Sequence, residues 1–254
     1  MDVSMQARLR PSGLAPKKPQ LERSLGKGIR RMGDIKAHVR RRRAIQWGLL
    51  SIVLITIAFG WWIPWLGFSV PIVMLTGIII GLFRGRYVCG NLCPRGSFYD
   101  RLMSRFSRKR EIPRWLRSMP FRWTVFALLM GLMVFRVLQN PLDPMHWGRV
   151  FWLMCVVTTA IGIPLALLYH PRTWCSFCPI GTVQNAVGGG KGQLLIDESA
   201  CRTCGICETA CPMGLTIVEH RHSGVLPHRD CAKCSECVAV CPAGALRWPG
   251  EDAS

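Results

Sequence analysis

The sequence predicts an α-helical membrane protein with four transmembrane helices, followed by a small α+β domain at the C-terminus. Two observations predict the membrane part. Half of the residues are hydrophobic although the net charge is +19, and the hydrophobic residues form long uncharged segments flanked by basic residues. A third observation predicts the C-terminal domain: eight of the thirteen cysteines fall after residue 200, in a repeated pattern.

The longest uncharged segment predicts two of the spans. Residues from Ala44 to Phe83 include no Asp, Glu, Lys, Arg or His. As one helix this segment would be about 60 Å long, roughly twice the thickness of a hydrocarbon core. Pro64 and Pro71 lie near its middle, beside the sequence WWIPW, which is typical of a membrane interface. The predicted spans are residues 44–63, 67–84, 120–139 and 150–169.

The basic residues lie on one side of the predicted spans. Residues 1–43 carry thirteen Lys and Arg and residues 84–122 carry eleven, whereas the turns on the other side carry almost none. By the positive-inside rule this is a multi-pass protein of the inner (cytoplasmic) membrane with both termini cytoplasmic. Residues 1–43 are predicted to be a disordered basic tail that contacts anionic lipids. Because the topology accounts for the positive charge, no nucleic-acid partner is expected.

The cysteines near the C-terminus form an internal repeat. The sequence CRTCGICETACP starts at Cys201 and CAKCSECVAVCP starts at Cys231, so that C-x2-C-x2-C-x3-C-P occurs twice. This spacing is typical of bacterial ferredoxins with two 4Fe-4S clusters, in which the fourth cysteine of each run binds the other cluster. Zinc sites and cytoplasmic disulfides fit the spacing poorly. The predicted ligands are Cys201, Cys204, Cys207 and Cys241 for cluster one, and Cys231, Cys234, Cys237 and Cys211 for cluster two.

The C-terminal domain is therefore predicted to be a bacterial-ferredoxin-like two-cluster domain. It spans residues 193–248, after a membrane domain at residues 44–192 and before a short tail at residues 249–254. QLLID and GVLPH are the expected starts of its strands. Residues 193–254 carry five Lys and Arg and eight Asp and Glu, a net charge of −3. An acidic electron carrier on a basic membrane domain suits docking of a charged redox partner.

Two further cysteine pairs follow predicted spans. Cys89 and Cys93 come after the second span and Cys175 and Cys178 after the fourth, and a proline follows each pair. In the predicted topology all four lie on the cytoplasmic side. They could ligate a third iron–sulfur centre, form redox-active thiols, bind a structural metal, or be unliganded thiols with a proline ending each helix. Cys155, inside the fourth span, is predicted to be a buried apolar thiol.

These features together resemble the NapH family: four spans, C-x3-C-P at Cys89–Pro94, a second Cys-Pro pair at Cys175–Pro179, and a two-cluster ferredoxin domain. NapH proteins are membrane subunits associated with periplasmic nitrate reductase. MauN of methylamine utilisation and the membrane-embedded halves of NosR and CcoG are similar. The resemblance covers residues 44–248, although the second pair has C-x2-C-P spacing and so departs from the usual pattern. It implies electron transfer at the membrane, typically from quinol.

A quinone site requires an apolar slot with one or two polar groups. His170, next to PRTWC, is the candidate on the cytoplasmic side, and Asp143 and His146 are the candidates on the outer side. We favour His170 because electron transfer requires proximity to the clusters. None of the six histidines lies in the middle of a predicted span, so paired ligands for a b-type haem are not expected.

The leading hypothesis is a membrane-anchored iron–sulfur electron-transfer protein of the quinol dehydrogenase type. It would pass electrons between the quinone pool and another redox subunit, either ferredoxin-type or a cytochrome, as the electron-transfer subunit of a quinol-linked oxidoreductase. The alternative is an iron–sulfur membrane factor for the assembly, maturation or regulation of another metalloenzyme. Quinone turnover would favour the first, and reduction of a bound metal ion without quinone activity would favour the second.

Overall fold

The computed structural model describes residues 18–250, with side chains from Met32 onwards. Residues 1–17 of the predicted tail and residues 251–254 lie outside the described residues. The helices of the described part are α1 (Lys18–Phe59), α2 (Ser69–Arg84), α3 (Tyr87–Asn91), α4 (Pro94–Arg101), α5 (Met119–Leu138), α6 (Pro144–Leu168), α7 (Thr173–Phe177), α8 (Pro179–Gly188), α9 (Ile206–Thr209) and α10 (Glu236–Val240). The strands are β1 (Leu195–Ile196) and β2 (Leu246–Arg247).

Four helical segments are long and apolar enough to cross a membrane, as predicted. They are Met32–Phe59, Pro64–Arg84, Met119–Leu138 and Pro144–Leu168. Between the first two, a 3-10 helix at Pro64–Phe68 makes the turn. A Cβ at Gly67 would lie 2.0 Å from the carbonyl oxygen of Gly148 at the start of α6, so the absence of a side chain permits this close approach.

The first helix begins well before the predicted boundary. We expected a disordered tail up to residue 43, but α1 continues without interruption from Lys18 through the basic run into the membrane segment. The physical reason lies in packing. Val39 is 4% exposed and Arg42 is 3% exposed, so the basic run includes side chains that are buried against the rest of the protein. Burial of these side chains stabilises the helical turns of the basic run, because tertiary packing contributes most of a helix's stability.

The fourth span also begins earlier than predicted, at Pro144 instead of residue 150. Asp143 is the N-cap residue, and its carboxylate accepts a hydrogen bond of 2.9 Å from the backbone N–H of Met145. Pro144 suits the first helical position because it has no N–H to satisfy. Nε2 of His146 lies 2.8 Å from the carbonyl oxygen of Arg136, which ties the start of α6 to the end of α5.

Two short helices position each membrane-edge cysteine pair. Cys89 is within α3 and Cys93 precedes α4; Cys175 is within α7 and Cys178 precedes α8. The proline after each pair is the first residue of the following helix. The prolines therefore start a helix as well as ending one, because their fixed φ suits the first helical turn.

The C-terminal domain has a small antiparallel sheet and its own core. Leu195 pairs with Arg247 and Ile196 with Leu246. The sequence QLLID forms β1 as expected, whereas GVLPH contributes only an isolated bridge between Val225 and Leu195. The second strand comes instead from the end of the domain. Its core is formed by apolar side chains that are at most 5% exposed: Leu194, Ile196, Met213, Leu215, Ile217, Leu226, Ala232, Val238 and Leu246.

The C-terminal domain packs directly on the arginine-rich end of the membrane domain. A Cβ at Gly90, between Cys89 and Cys93, would lie 1.7 Å from the carbonyl oxygen of Ala232. The amide of Asn91 donates a hydrogen bond of 3.3 Å to the carbonyl oxygen of Lys233. Backbone from the two domains is thus in van der Waals contact at this position, and only glycine fits.

His170 belongs to the same interface. Its ring packs against Gly214, where a Cβ would lie 2.6 Å from ring carbon Cδ2. The residue is 8% exposed, and its Nδ1 atom has no hydrogen-bond partner among the described residues. Burial lowers the pKa of His170 to about 4, and the positive charge of Arg117 acts in the same direction. The imidazole is therefore neutral in the folded protein at neutral pH.

The contact at Gly90 generates a first prediction. Replacement of Gly90 by Ala forces the α3 loop away from Ala232, and overpacking of this kind costs about 1–3 kcal/mol. We expect a lower melting temperature in detergent and faster proteolytic release of the C-terminal domain. Gly131→Ala in α5 is the matched control, since nothing lies within 4 Å of its Cβ position. Equal melting temperatures for the two variants would contradict the close approach.

The buried imidazole generates a second prediction, on pH. The unfolded chain protonates His170 below its ordinary pKa near 6.5, whereas the folded chain does so only near 4. Stability that is present above pH 6.5 is therefore lost as the pH falls, by about 1 kcal/mol at pH 5.5. We expect the decrease in melting temperature between pH 7.5 and 5.5 to be smaller in His170→Gln than in the wild type.

His146→Gln is the control, because His146 lies at the opposite end of the membrane domain on the Arg136 carbonyl. The same decrease in wild type and His170→Gln would show that His170 is not buried as a neutral ring.

Candidate functional site

The first predicted cysteine set lines one cavity of the C-terminal domain. Cys201, Cys204, Cys207 and Cys241 all lie in its wall. Cys241 thus joins the three cysteines of the other repeat, as the spacing predicts. Cys204 is exposed and the other three are half-buried. This cavity lies towards the outer surface of the domain.

The second predicted set lines a separate cavity. Its wall includes Cys231, Cys234 and Cys237 together with Cys211 from the first repeat. Cys234 and Cys237 are buried. The structure therefore brings together both predicted sets of four, each with three cysteines from one repeat and one from the other.

The two repeats share an unusual backbone conformation. Thr203 and Lys233 have φ angles of 52° and 51°, and Gly205 and Ser235 have φ angles of 70° and 59°. Left-handed conformations at non-glycine residues cost about 1–3 kcal/mol each and concentrate at ligand-binding sites. Their recurrence at equivalent positions indicates loops shaped to wrap around a bound group.

The thiols fit an iron–sulfur cluster better than a single ion. Burial raises the pKa of Cys211 to about 11 and that of Cys231 to about 12. Such thiols are protonated at neutral pH unless bound iron displaces the proton. Among the described residues, no three His, Cys, Asp or Glu side chains are arranged to hold one metal ion. Four sulfurs around a cavity suit a cluster, which fills the space between its ligands.

The four membrane-edge cysteines line a third cavity. We call Cys89, Cys93, Cys175 and Cys178 the membrane quartet. The prediction that these four meet on one side is supported by their shared cavity. Cys155 of α6, predicted to be an isolated buried thiol, is buried but lines the same cavity.

The thiols of the membrane quartet have few partners. Sγ of Cys89 donates a hydrogen bond of 3.0 Å to Oε1 of Gln184, and Sγ of Cys93 accepts a weak one of 3.5 Å from the N–H of Gly96. Burial raises the pKa of Cys89 and of Cys175 to about 12, against the opposing positive charges of Arg86 and Arg172 respectively. The quartet is thus a set of half-buried, protonated thiols that line one cavity and have few hydrogen-bond partners.

Buried arginines surround the membrane quartet. Arg86 donates a hydrogen bond to the carbonyl oxygen of Cys175, and Arg172 donates one of 2.6 Å to the carbonyl oxygen of Cys89. Both residues are 1% exposed. A cluster with four thiolate ligands would carry negative charge, which fixed cations at this position would compensate.

A buried charge network holds these arginines in place. Asp100, at 6% exposure, accepts two hydrogen bonds of 2.7 Å from Arg172 and one of 2.8 Å from Arg42. Arg42 also pairs with Glu236 of the C-terminal domain at 2.7 Å. Burial alone would raise the pKa of Asp100, but the charge of Arg172 lowers it, so the carboxylate stays ionised. We call Arg42, Asp100, Arg172 and Glu236 the charge network.

A second anchor lies at Asp230, one residue before Cys231. Its carboxylate pairs with Arg86 at 2.7 Å and with Arg122 at 2.8 Å, and Asn185 donates to it at 2.6 Å. Burial opposes ionisation, but the hydrogen bond from Arg122 and the charge of Arg86 lower the pKa of Asp230 to about 2. Arg122, in the first turn of α5, is 2% exposed and binds the C-terminal domain.

His170, the predicted quinone residue, does not line the cavity of the membrane quartet. Its ring lies on the Gly214 loop of the C-terminal domain. The outer candidates Asp143 and His146 serve to start α6 and do not line the cavity either. The C-terminal domain covers the surface next to PRTWC, and sequence spacing does not reveal that contact.

Sequence analysis missed several residues around the membrane quartet. Arg95 lines the cavity, and Asp100 and Glu236 hold the charge network. Asp100 could have been found, because it is the one acidic residue in the basic segment 84–110. A lone carboxylate among many arginines is a natural centre for a buried ion cluster.

Comparison with known proteins identifies 4Fe-4S binding domains in both parts of the chain. Residues 66–113 and 148–195 match the 4Fe-4S binding domain family, and these two segments contain the membrane quartet. Residues 200–246 match the 4Fe-4S dicluster domain family. No solved structure matches the chain significantly.

The chain is similar to curated proteins over most of its length. Two uncharacterised proteins of Methanocaldococcus jannaschii are each 24% identical, covering 70% and 67% of this chain and 70% and 75% of their own lengths. The ferredoxin-type protein NapH of Escherichia coli K12 is 26% identical over 66% of this chain and 65% of its own length. The chain is thus a NapH-like ferredoxin-type protein with 4Fe-4S binding domains and four candidate membrane spans.

Proposed function

We propose that this iron–sulfur electron-transfer protein passes electrons between quinone in the membrane and a redox partner through three 4Fe-4S clusters. Two would be held by the C-terminal domain and one by the membrane quartet. The observation that carries the proposal is a single cavity of about 180 Å³ that extends from the membrane quartet into the four spans.

The cavity has the properties of a quinone site. Its walls below the cysteines come from all four spans: Ile52, Val53 and Thr56 of α1; Ser69, Val70, Val73 and Met74 of α2; Leu129, Met130 and Met133 of α5; and Phe151, Met154, Cys155 and Thr158 of α6. Most are apolar. An apolar cavity of roughly 150 Å³ binds benzene in another protein, so one of this size accepts a quinone ring.

Lipid-soluble quinone requires an entrance from the bilayer. Both α2 and α5 line the cavity, yet in the described residues these two helices have no extensive contact with each other. An entrance between α2 and α5 would admit quinone directly from the hydrocarbon core. This replaces His170 as the proposed quinone site, since that ring is covered by the C-terminal domain.

The contacts between the domains support an order for the carriers. Gly90, which lies in α3 between Cys89 and Cys93, touches Ala232, in the loop between Cys231 and Cys234. Cys175 packs against the core of the C-terminal domain. The membrane quartet therefore adjoins cluster two. Cluster one lies beyond it, with Cys204 exposed to solvent for a partner.

The chemistry balances with single-electron carriers. Oxidation of one quinol releases two electrons and two protons, and reduction of one quinone consumes the same. A 4Fe-4S cluster, when bound, accepts and donates one electron at a time. The chain's own residues exclude water from the cavity, hold the cysteines in place, and compensate their charge with Arg86 and Arg172.

The proposed location is the inner membrane, with the C-terminal domain in the cytoplasm. The residues that bind this domain, Arg42, Arg86 and Arg122, belong to the arginine-rich end of the membrane domain. Basic residues favour the cytoplasmic side. The proposed partner is therefore a cytoplasmic-side redox subunit, ferredoxin-type or cytochrome, that docks near Cys204.

Oxidation by quinone tests the function. We expect dithionite-reduced protein in lipid nanodiscs, freed of excess dithionite, to lose its cluster EPR signals when a quinone analogue is added, with quinol formed in proportion. Met130→Trp fills the cavity and should slow this oxidation by about tenfold or more. Leu128→Trp is the control, because the Leu128 side chain of α5 is 68% exposed, and it should leave the rate unchanged.

Two results would contradict the function. Clusters that remain reduced with quinone in excess, yet are oxidised by ferricyanide, would exclude quinone as the substrate. Transfer of the electrons to a bound metal ion in that case would support a role in metalloenzyme assembly or maturation. Equal rates in Met130→Trp and Leu128→Trp would show that quinone reacts outside the cavity.

A further inference from the structure

We infer that Arg95 binds an oxygen of the quinone ring at the cysteine end of the cavity and so positions the ring next to the membrane quartet. This inference rests on the proposed function. Among the cavity-lining residues that the structure describes, Arg95 is the one with a charged side chain. It follows Cys93 and Pro94 directly, in the first turn of α4.

The guanidinium of Arg95 is held in place but only partly satisfied. Its central carbon lies 4.9 Å from the ring centroid of Trp174, a cation–π contact. It also interacts with the side chain of Tyr99. Its Nε and Nη2 atoms are buried and have no hydrogen-bond partner among the described residues. Buried donors without acceptors are costly, so these atoms point to an acceptor that binds there.

Arg95 differs from the other buried arginines near the membrane quartet. Arg42 and Arg172 pair with Asp100, and Arg86 and Arg122 pair with Asp230. In the part of the chain that the structure describes, no carboxylate lies within salt-bridge distance of Arg95. A structural arginine in an apolar region normally has such a partner. Its absence leaves this cation available to a ligand.

The position of Arg95 suits a ligand that reacts with the membrane quartet. Arg95 lines the same cavity as Cys178 of the quartet and Cys155 of α6. When a quinone oxygen accepts a hydrogen bond from Arg95, the ring extends along α6 into the apolar part of the cavity. The reacting ring is then close to the cysteine ligands.

The chemistry of the guanidinium defines its role. The oxygen of a quinone gains negative charge as the ring is reduced, and a fixed donor with positive charge in an apolar site stabilises that charge. Arginine does not lose its proton in proteins. Arg95 is therefore a binding and positioning residue and not the acceptor of the quinol protons.

Quinone binding to oxidised protein tests this inference without any electron transfer. A charged hydrogen bond contributes about 1.5–3 kcal/mol, so Arg95→Gln should weaken binding of a quinone analogue about ten- to hundredfold. Arg95→Lys keeps the charge with fewer donors and should lie between. Arg105→Gln, an exposed arginine of the same segment, is the control and should bind like the wild type.

Three further readouts separate quinone binding from other roles of Arg95. Iron content, the midpoint potentials of the clusters and the rate of oxidation by ferricyanide should be the same in Arg95→Lys, which keeps the charge, and in wild type, while the KM for quinone rises. Unchanged quinone affinity in Arg95→Gln and Arg95→Lys would overturn the inference. So would altered cluster potentials with unchanged affinity, because Arg95 would then serve the cluster.

The outcome also distinguishes the inference from the proposed function. A wild type that binds quinone but exchanges no electrons with it would contradict the function, and the ratio of affinities would still measure the role of Arg95. A wild type that binds no quinone would overturn both. Normal electron exchange with equal affinity in all variants would overturn the inference alone.

Discussion

The arrangement of this protein depends on the buried carboxylate of Asp100. Ionised groups in an apolar region are tolerated only when they are paired and hydrogen-bonded. Asp100 therefore fixes Arg172 and Arg42 around itself, with Gln46 as a further donor at 3.0 Å. Arg172 holds the backbone of Cys89, and Arg42 reaches Glu236 on the C-terminal domain. One carboxylate thus positions both the membrane quartet and the domain next to it.

This constraint explains why the cysteine sites adjoin one another. The charge network and the Asp230 anchor hold the C-terminal domain against the loop of Gly90, where backbone meets backbone. Electron transfer between clusters requires short separations, and a rigid interface maintains them better than a flexible linker. The same interface buries His170 and covers the surface where the sequence alone suggested a quinone site. We propose instead that quinone binds in the cavity beneath the quartet, which is lined by all four spans.

Local sequence patterns predicted the features that depend on neighbouring residues, namely the helices and the cysteine sets. Four apolar segments gave four helices, and the repeated cysteine spacing identified which residues share a cavity, because ligand spacing is a local property of the chain. Contacts between distant segments were not predictable in this way. Arg42 and Glu236 are 194 residues apart, and the burial that extends α1 to include Arg42 exists only when the domains meet. The contact of His170 with the Gly214 loop was not predictable for the same reason.

The central claim is that the membrane quartet binds a cluster that links the cavity to the C-terminal domain. Iron and acid-labile sulfide per chain, measured on anaerobically purified protein, test it most directly. With four iron atoms per cluster, the account predicts about twelve iron atoms in wild type and in Cys155→Ser, and about eight in Cys89→Ser. About eight iron atoms in wild type, unchanged in Cys89→Ser, would contradict it and leave the quartet as thiols without a cluster.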